Sequence, residues 1–298
     1  MIGSNGEMKR IHYTGDIGSP VIPKPYVQDF TPIDEYCNLL IGECTYAGDK
    51  RNHSAKDRAK DKEKIDSIIR NVCGEHGGKV LFPVFSLDRL QTILTALYEV
   101  YGNDGSFTTP VIIDTPMGIQ ITHLWDKILT KDRELWESVI GWKNIRYAES
   151  WEQSVSYQEA SGPMIILASS GMCTSGRSVS WVKRLLPGEK NHICFCGYAA
   201  EDSLAYMIKH AEAEQRLMVD GESVRNNAGI TSLFSFSSHA CRKELMDLYT
   251  AARYGTLCLV HSDEKGKLEF ASELKEKLAA DCRSSKVVAT TAGYHVYI

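Results

Sequence analysis

The sequence has 298 residues, 43% hydrophobic and 24% charged, the make-up of a globular protein with room for one large domain or two ordinary ones. Its net charge of −4 excludes a general nucleic-acid-binding field and leaves room only for a local basic groove. No apolar run reaches the length of a membrane span and no signal peptide opens the chain. Nine cysteines without a CxxC pair read as reduced, mostly buried thiols, so a cytoplasmic location is expected.

The polar opening, residues 1–7, reads as a leader, with Met8 a candidate start. Residues 9–48 give strand-like pieces and no long helix. The mixed-sign stretch 50–64 reads as a solvated helix start rather than an RNA-binding arm. An apolar helical stripe covers 65–72 and ends at Gly74 and Gly77-Gly78. Residues 79–85 form a short apolar strand. Residues 87–101 follow as a helix, with Leu90, Ile93, Leu94, Leu97 and Tyr98 at helical spacing. Strands at 110–114, 164–168 and 192–196 are followed by helices at 119–129, 178–186 and 203–212. Strand and helix thus alternate four times, and the near-continuous apolar strands predict a parallel sheet covered on both faces.

Ligands gather at the carboxyl ends of such strands. Those ends carry Phe85-Ser86, Ala168-Ser169-Ser170-Gly171 and Gly197-Tyr198. Small residues ahead of a helix suit an anion, and they equally suit ordinary capping. Residues 216–262 read as strands, a helix over 242–252 and a strand ending at His261. A last amphipathic helix covers 267–280. The simplest organisation is a β-rich frame interrupted by an α/β insertion. Trp125, Trp136, Trp142, Trp151 and Trp181 lie mostly on helix-like stretches and read as packing residues rather than base platforms.

Four polar residues stand at expected strand ends. His239 closes Leu233-Phe234-Ser235-Phe236-Ser237-Ser238, and His261 closes Leu257-Cys258-Leu259-Val260. Asp16 and Glu43 follow strand-like pieces near the start. Two imidazoles and two carboxylates drawn from distant parts of a chain suit a metal or phosphate-ester site. Singly, each has a plainer reading: a turn residue, a strand-end carboxylate, a helix cap and a core histidine.

In order along the chain, these residues resemble the metallo-β-lactamase-fold nucleases of the β-CASP group. The resemblance is carried by Thr14-Gly15-Asp16, by Glu43-Cys44-Thr45-Tyr46 with Arg51 and His53, and by the run from Gly78 to Leu87 with Arg89 and Gln91. It continues through Ala168-Ser169-Ser170-Gly171-Met172, Gly197-Tyr198 with Glu201, Phe236-Ser237-Ser238-His239 and Val260-His261. It implies an α/β fold: a partial metallo-β-lactamase-like αββα sandwich with an inserted β-CASP domain built on a mainly parallel sheet. The implied divisions are 1–48 for the end of the first lactamase half, 49–232 for the β-CASP domain and 233–298 for the returning segment.

The resemblance also implies roles. Asp16 is the carboxylate that bridges two zinc ions, and His261 ligates one of them. Glu43 positions His239, which donates a proton to the leaving oxygen. A histidine at position 261 goes with RNA-acting members, a valine with DNA-acting ones. Two zinc ions can generate hydroxide at neutral pH and stabilise both oxygens of an in-line phosphoryl displacement. Ser86, Ser169, Ser170 and Ser237 are candidate phosphate or RNA contacts.

The sequence also departs from the family. The zinc motif HxHxDH is absent, and none of the nine histidines replaces it. Cys241 stands where an aspartate is usual and Ser262 where a glycine is. Asp88 and Thr92 replace the usual glycine and glutamate of the motif around Arg89. The expected function is therefore a zinc-dependent RNA-processing nuclease present as a truncated or split chain, with weak or no metal binding and no cleavage alone. The expected partners are single-stranded RNA and either a second copy or a separate chain supplying HxHxDH, with no membrane. The alternatives are a metal-free RNA-binding scaffold and, less in keeping with His261, a DNA-repair nuclease.

Overall fold

This computed structural model describes residues 8–19, 26, 33–49, 54–129 and 131–296. The opening 1–7, Arg51 and His53 lie outside them. In chain order the elements begin with β1 (Ile11–Tyr13), β2 (Cys37–Glu43) and α1 (Ala55–Ile69), which runs on into a π-helical turn, Arg70–Glu75. Then come β3 (Lys79–Pro83), α2 (Arg89–Tyr101), β4 (Val111–Asp114), α3 (Pro116–Ile128) and α4 (Arg133–Ile140). They are followed by β5 (Ile145–Tyr147), α5 (Trp151–Glu159), β6 (Met164–Ala168), α6 (Arg177–Leu185), β7 (His192–Phe195) and α7 (Leu204–His210). The rest are β8 (Arg216–Val219), β9 (Glu222–Arg225), β10 (Gly229–Ser232), α8 (Arg242–Ala251), β11 (Tyr254–Val260), α9 (Glu264–Ala280) and β12 (Lys286–Ala289).

The chain forms two compact units. One takes 1–23, 28–54 and 238–298; the other takes 24–27 and 55–237. The first holds a four-stranded sheet in the order β1-β2-β11-β12, with every pair parallel. Leu40, Leu257, Leu259 and Val287 pack with Leu245 and Tyr249 of α8 and Phe270, Leu274 and Leu278 of α9. Alternation along the strands turns Ile11, Tyr13, Leu39, Ile41 and Cys258 to the other face. Leu39 and Cys258 are buried there, while Tyr13 on edge strand β1 is 68% exposed.

Gly42 sits on the helix-covered face under Tyr249, and a Cβ there would collide with the tyrosine ring and hydroxyl. Gly42→Ala is expected to cost about 1–3 kcal/mol through overpacking. It also shifts the end of β2, where Glu43 sits. Thermal unfolding with no loss of stability would refute this assignment of the glycine.

The second unit is a six-stranded parallel sheet in the order β10-β7-β3-β6-β4-β5, with the separate antiparallel hairpin β8-β9. Period-2 alternation divides its side chains between two cores. Val80, Phe82, Val111, Ile113, Ile165, Leu167 and Cys194 face one core. Leu81, Ile112, Met164, Ile166, Ile193 and Phe195 face the other. This is why the strands read as unbroken apolar runs. Strand order reverses between β3 and β6, and in sheets of this kind ligands gather at the carboxyl ends of the strands at such a reversal.

Three expectations need correction. Residues 233–238 form no strand, so His239 stands on a loop. Asp61 holds that loop: its buried carboxylate accepts from the Ser235 N–H at 3.0 Å and the Ser235 hydroxyl at 2.8 Å, in place of a ladder partner. Trp151 is 52% exposed, unlike Trp136 and Trp181, because it stands at the first turn of α5. The stretch 130–162, in which no element was expected, holds α4, β5 and α5. The thiols behave as expected: all nine are unbridged, and only Cys282 is exposed.

Candidate active site

The first unit brings Asp16, Glu43, His239 and His261 together, joined by Thr45. Glu43 is the last residue of β2 and is 2% exposed. Its carboxylate accepts from the Ile17 N–H at 3.0 Å, the Thr45 N–H at 2.7 Å and His239 Nδ1 at 3.0 Å. Burial pushes this carboxyl up. The hydrogen bond and charge of His239, with the two backbone N–H groups, outweigh burial and hold it below the ordinary glutamate range. The Tyr249 hydroxyl pins the backbone by donating to the Glu43 carbonyl at 2.7 Å.

The Thr45 hydroxyl lies 3.1 Å from His239 Nδ1 and 3.0 Å from His261 Nδ1. The two rings stand 5.4 Å apart, and Tyr46 meets His239 edge-on at 6.3 Å. His261 follows β11 with φ of +60°, and its Nδ1 is 3.7 Å from an Asp16 oxygen. One ring nitrogen of each histidine and one Asp16 oxygen lie within 4.8 Å of one another. Cys44, between Glu43 and Thr45, is no ligand. Its thiol donates to the Val260 carbonyl at 3.1 Å, and burial pushes it up to about 12.

The four serines fall in the second unit and do not form one group. Ser86 and Ser169 both meet Thr115, the N-cap of α3, at 2.9 Å. Thr115 Oγ1 accepts from the Gly118 N–H at 3.2 Å and from Ser169, which fills its two lone pairs. Its own proton therefore goes to Ser86, which leaves the Ser86 hydroxyl proton for a further acceptor just past the carboxyl end of β3. Ser170 is engaged by its own loop, accepting from the Thr174 N–H at 3.2 Å. Ser237 is buried. Sequence reasoning missed Thr45 and Thr115. The order Thr115-Pro116, a cap followed by proline at the first helical position, could have signalled the second.

The Beta-Casp domain family matches residues 90–208, and the Zn-dependent metallo-hydrolase RNA specificity domain family matches residues 223–285. The chain belongs to the β-CASP family. This β-CASP chain is 28% identical over 281 residues to ribonuclease TTHA0252 of Thermus thermophilus, covering 91% of the chain and 61% of the relative. It is 30% identical over 281 residues to transcription termination factor FttA of Methanocaldococcus jannaschii, covering 88% of the chain and 42% of the relative. It is 28% identical over 244 residues to Integrator complex subunit 11 of Danio rerio, covering 81% and 38%. The chain thus spans 38–61% of the length of these curated relatives.

The family is one of zinc-dependent metallo-hydrolases. Two zinc ions at about four ligands each need more donors than this β-CASP chain brings together. Asp16, His239 and His261 are the cluster of three or more histidine, cysteine or acidic donors among the described residues. The donor set does not fit a zinc pair.

Proposed function

We propose that this chain is the β-CASP and RNA-specificity part of an RNA-processing phosphodiesterase, and that alone it binds single-stranded RNA without cleaving it. The observation that carries this reading is the convergence of Asp16, Glu43, His239 and His261 in one site. His261 stands at the position that goes with RNA-acting members. In a completed centre, Glu43 orients His239 through Nδ1, which places the ring to give a proton to a leaving oxygen. The further zinc ligands come from a segment or chain carrying HxHxDH. Just past the carboxyl end of β3, the Ser86 hydroxyl donates to a phosphate oxygen. A cytoplasmic setting accords with the unbridged cysteines, and no described helix is long and apolar enough to cross a membrane.

Fluorescence anisotropy with a labelled single-stranded RNA tests the binding claim. Saturable binding is expected, weakened about 2- to 10-fold in Ser86→Ala, the value of one hydrogen bond. Absence of RNA binding would sink the RNA reading. Chelator-sensitive cleavage by the highly purified chain would sink the claim that its centre is incomplete.

A further inference from the structure

We infer that Trp151, backed by Arg177, is the docking place for one base of a single-stranded RNA, which stacks on the open face of the indole. This rests on the RNA reading proposed for the chain. It adds to that reading the group that receives a base, where Ser86 receives a phosphate.

Trp151 opens α5, just past the carboxyl end of edge strand β5. Ser150 and Gln153 close a capping box around it, which fixes where the helix begins and where the indole stands. Ser154 lies on the same helix face three residues on, and its hydroxyl donates to Asp114, the last residue of β4, at 2.5 Å. The indole is thereby held at the strand ends of the sheet. Arg177 ties the two together. Its Nη1 donates to Asp114 at 2.5 Å, and its guanidinium carbon lies 5.4 Å from the centroid of the Trp151 ring. Thr115, next after Asp114, bonds Ser86 at 2.9 Å. The indole and the Ser86 hydroxyl are thus joined through two consecutive residues of one strand end.

The chemistry around the indole suits a base. Trp151 stays 52% exposed although the guanidinium lies over its ring, so the other face is left to solvent. Bases stack on such a face whatever their sequence, and an arginine beside it adds to the hold. A guanidinium carries five N–H donors. Among the described residues, Asp114 is the hydrogen-bond acceptor of Arg177, so donors remain for a base carbonyl. Glu149 and Glu152 stand exposed on either side of Trp151. Their charge repels a phosphate laid on the indole. Their oxygens accept from the exocyclic amino group of adenine or cytosine, which uracil lacks. The platform therefore takes an uncharged, amino-bearing base and leaves the phosphates to the neighbouring strand ends.

The test titrates the full chain with labelled oligoadenylate. Trp151→Ala should weaken binding about 5- to 150-fold, the value of one stacked base, and Trp151→Phe should recover most of the loss. Tryptophan emission gives a second readout that needs no variant. Trp136, Trp142 and Trp181 are buried and Trp125 is partly so, which leaves Trp151 as the indole open to contact. Saturating oligoadenylate should quench wild-type emission, and Trp151→Phe should lose that quenching while still binding. Urea denaturation of Trp151→Ala separates loss of the platform from loss of fold. Oligoadenylate bound equally well by wild type and folded Trp151→Ala would overturn this inference and leave the RNA reading standing. Saturation of the wild type without quenching would do the same. A wild-type chain that binds no RNA would overturn both.

Discussion

Asp114→Ala is expected to destabilise the β-CASP unit by about 3–5 kcal/mol, the cost of removing one member of a buried ion pair. Asp114 is the last residue of β4 and is fully buried. One carboxylate oxygen accepts from Arg177 Nη1 at 2.5 Å. The other accepts from the Ser154 hydroxyl at 2.5 Å and Trp181 Nε1 at 2.7 Å. Alanine would leave a guanidinium only 12% exposed, an indole N–H and a hydroxyl without their acceptor. Three helices are tied to β4 at this point, since Ser154 lies on α5 and Arg177 and Trp181 on α6, while α3 begins two residues on. The effect should therefore reach Thr115 and Ser86 and weaken RNA binding as well. Urea denaturation measures the loss as a lower midpoint at unchanged slope. A loss below about 1 kcal/mol would show that water replaces the carboxylate readily, and the anchoring role would be withdrawn.

Glu43→Ala carries the second large effect. The buried N–H groups of Ile17 and Thr45 lose their acceptor, at roughly 1–3 kcal/mol each. His239 loses the partner that orients it. Because the Glu43 carboxyl is held below its unfolded value, its contribution is fully present above the ordinary glutamate range. That contribution is lost as pH falls through the lower folded value. The stability gap between wild type and variant should accordingly be widest at neutral pH and narrow in acid. Denaturation curves with chelator present, at neutral and acid pH, decide the matter. A gap that stays constant with pH would mean that Glu43 acts through packing rather than charge.

Much of the second unit was legible in the sequence because its strands are buried on both faces. Val80 to Phe82 and Ile165 to Leu167 show their identity by unbroken apolarity, whichever core each side chain enters. Strand β5 escaped because three residues, of which Arg146 is exposed, are too short for any period to register. Helix α5 has a plain start signal in Ser150 and Gln153, a reciprocal capping box, but too little apolar stripe to draw attention. His239 was placed at a strand end because it closes the run Leu233-Phe234-Ser235-Phe236-Ser237-Ser238. That pattern is real, yet Asp61, far away in sequence, claims the backbone there. Asp16, Glu43 and His261 were visible through their order along the chain. Their linker, Thr45, was not, since a threonine announces no chemistry until two imidazoles are found on either side of it.

One methyl-bearing hydroxyl therefore acts as a spacer. With its oxygen about 3 Å from each ring nitrogen, Thr45 fixes the 5.4 Å gap between the imidazoles before anything enters the site. Rings already held at a fixed gauge have little freedom left to lose when a partner is engaged, so the site is set in advance by one side chain rather than assembled on demand.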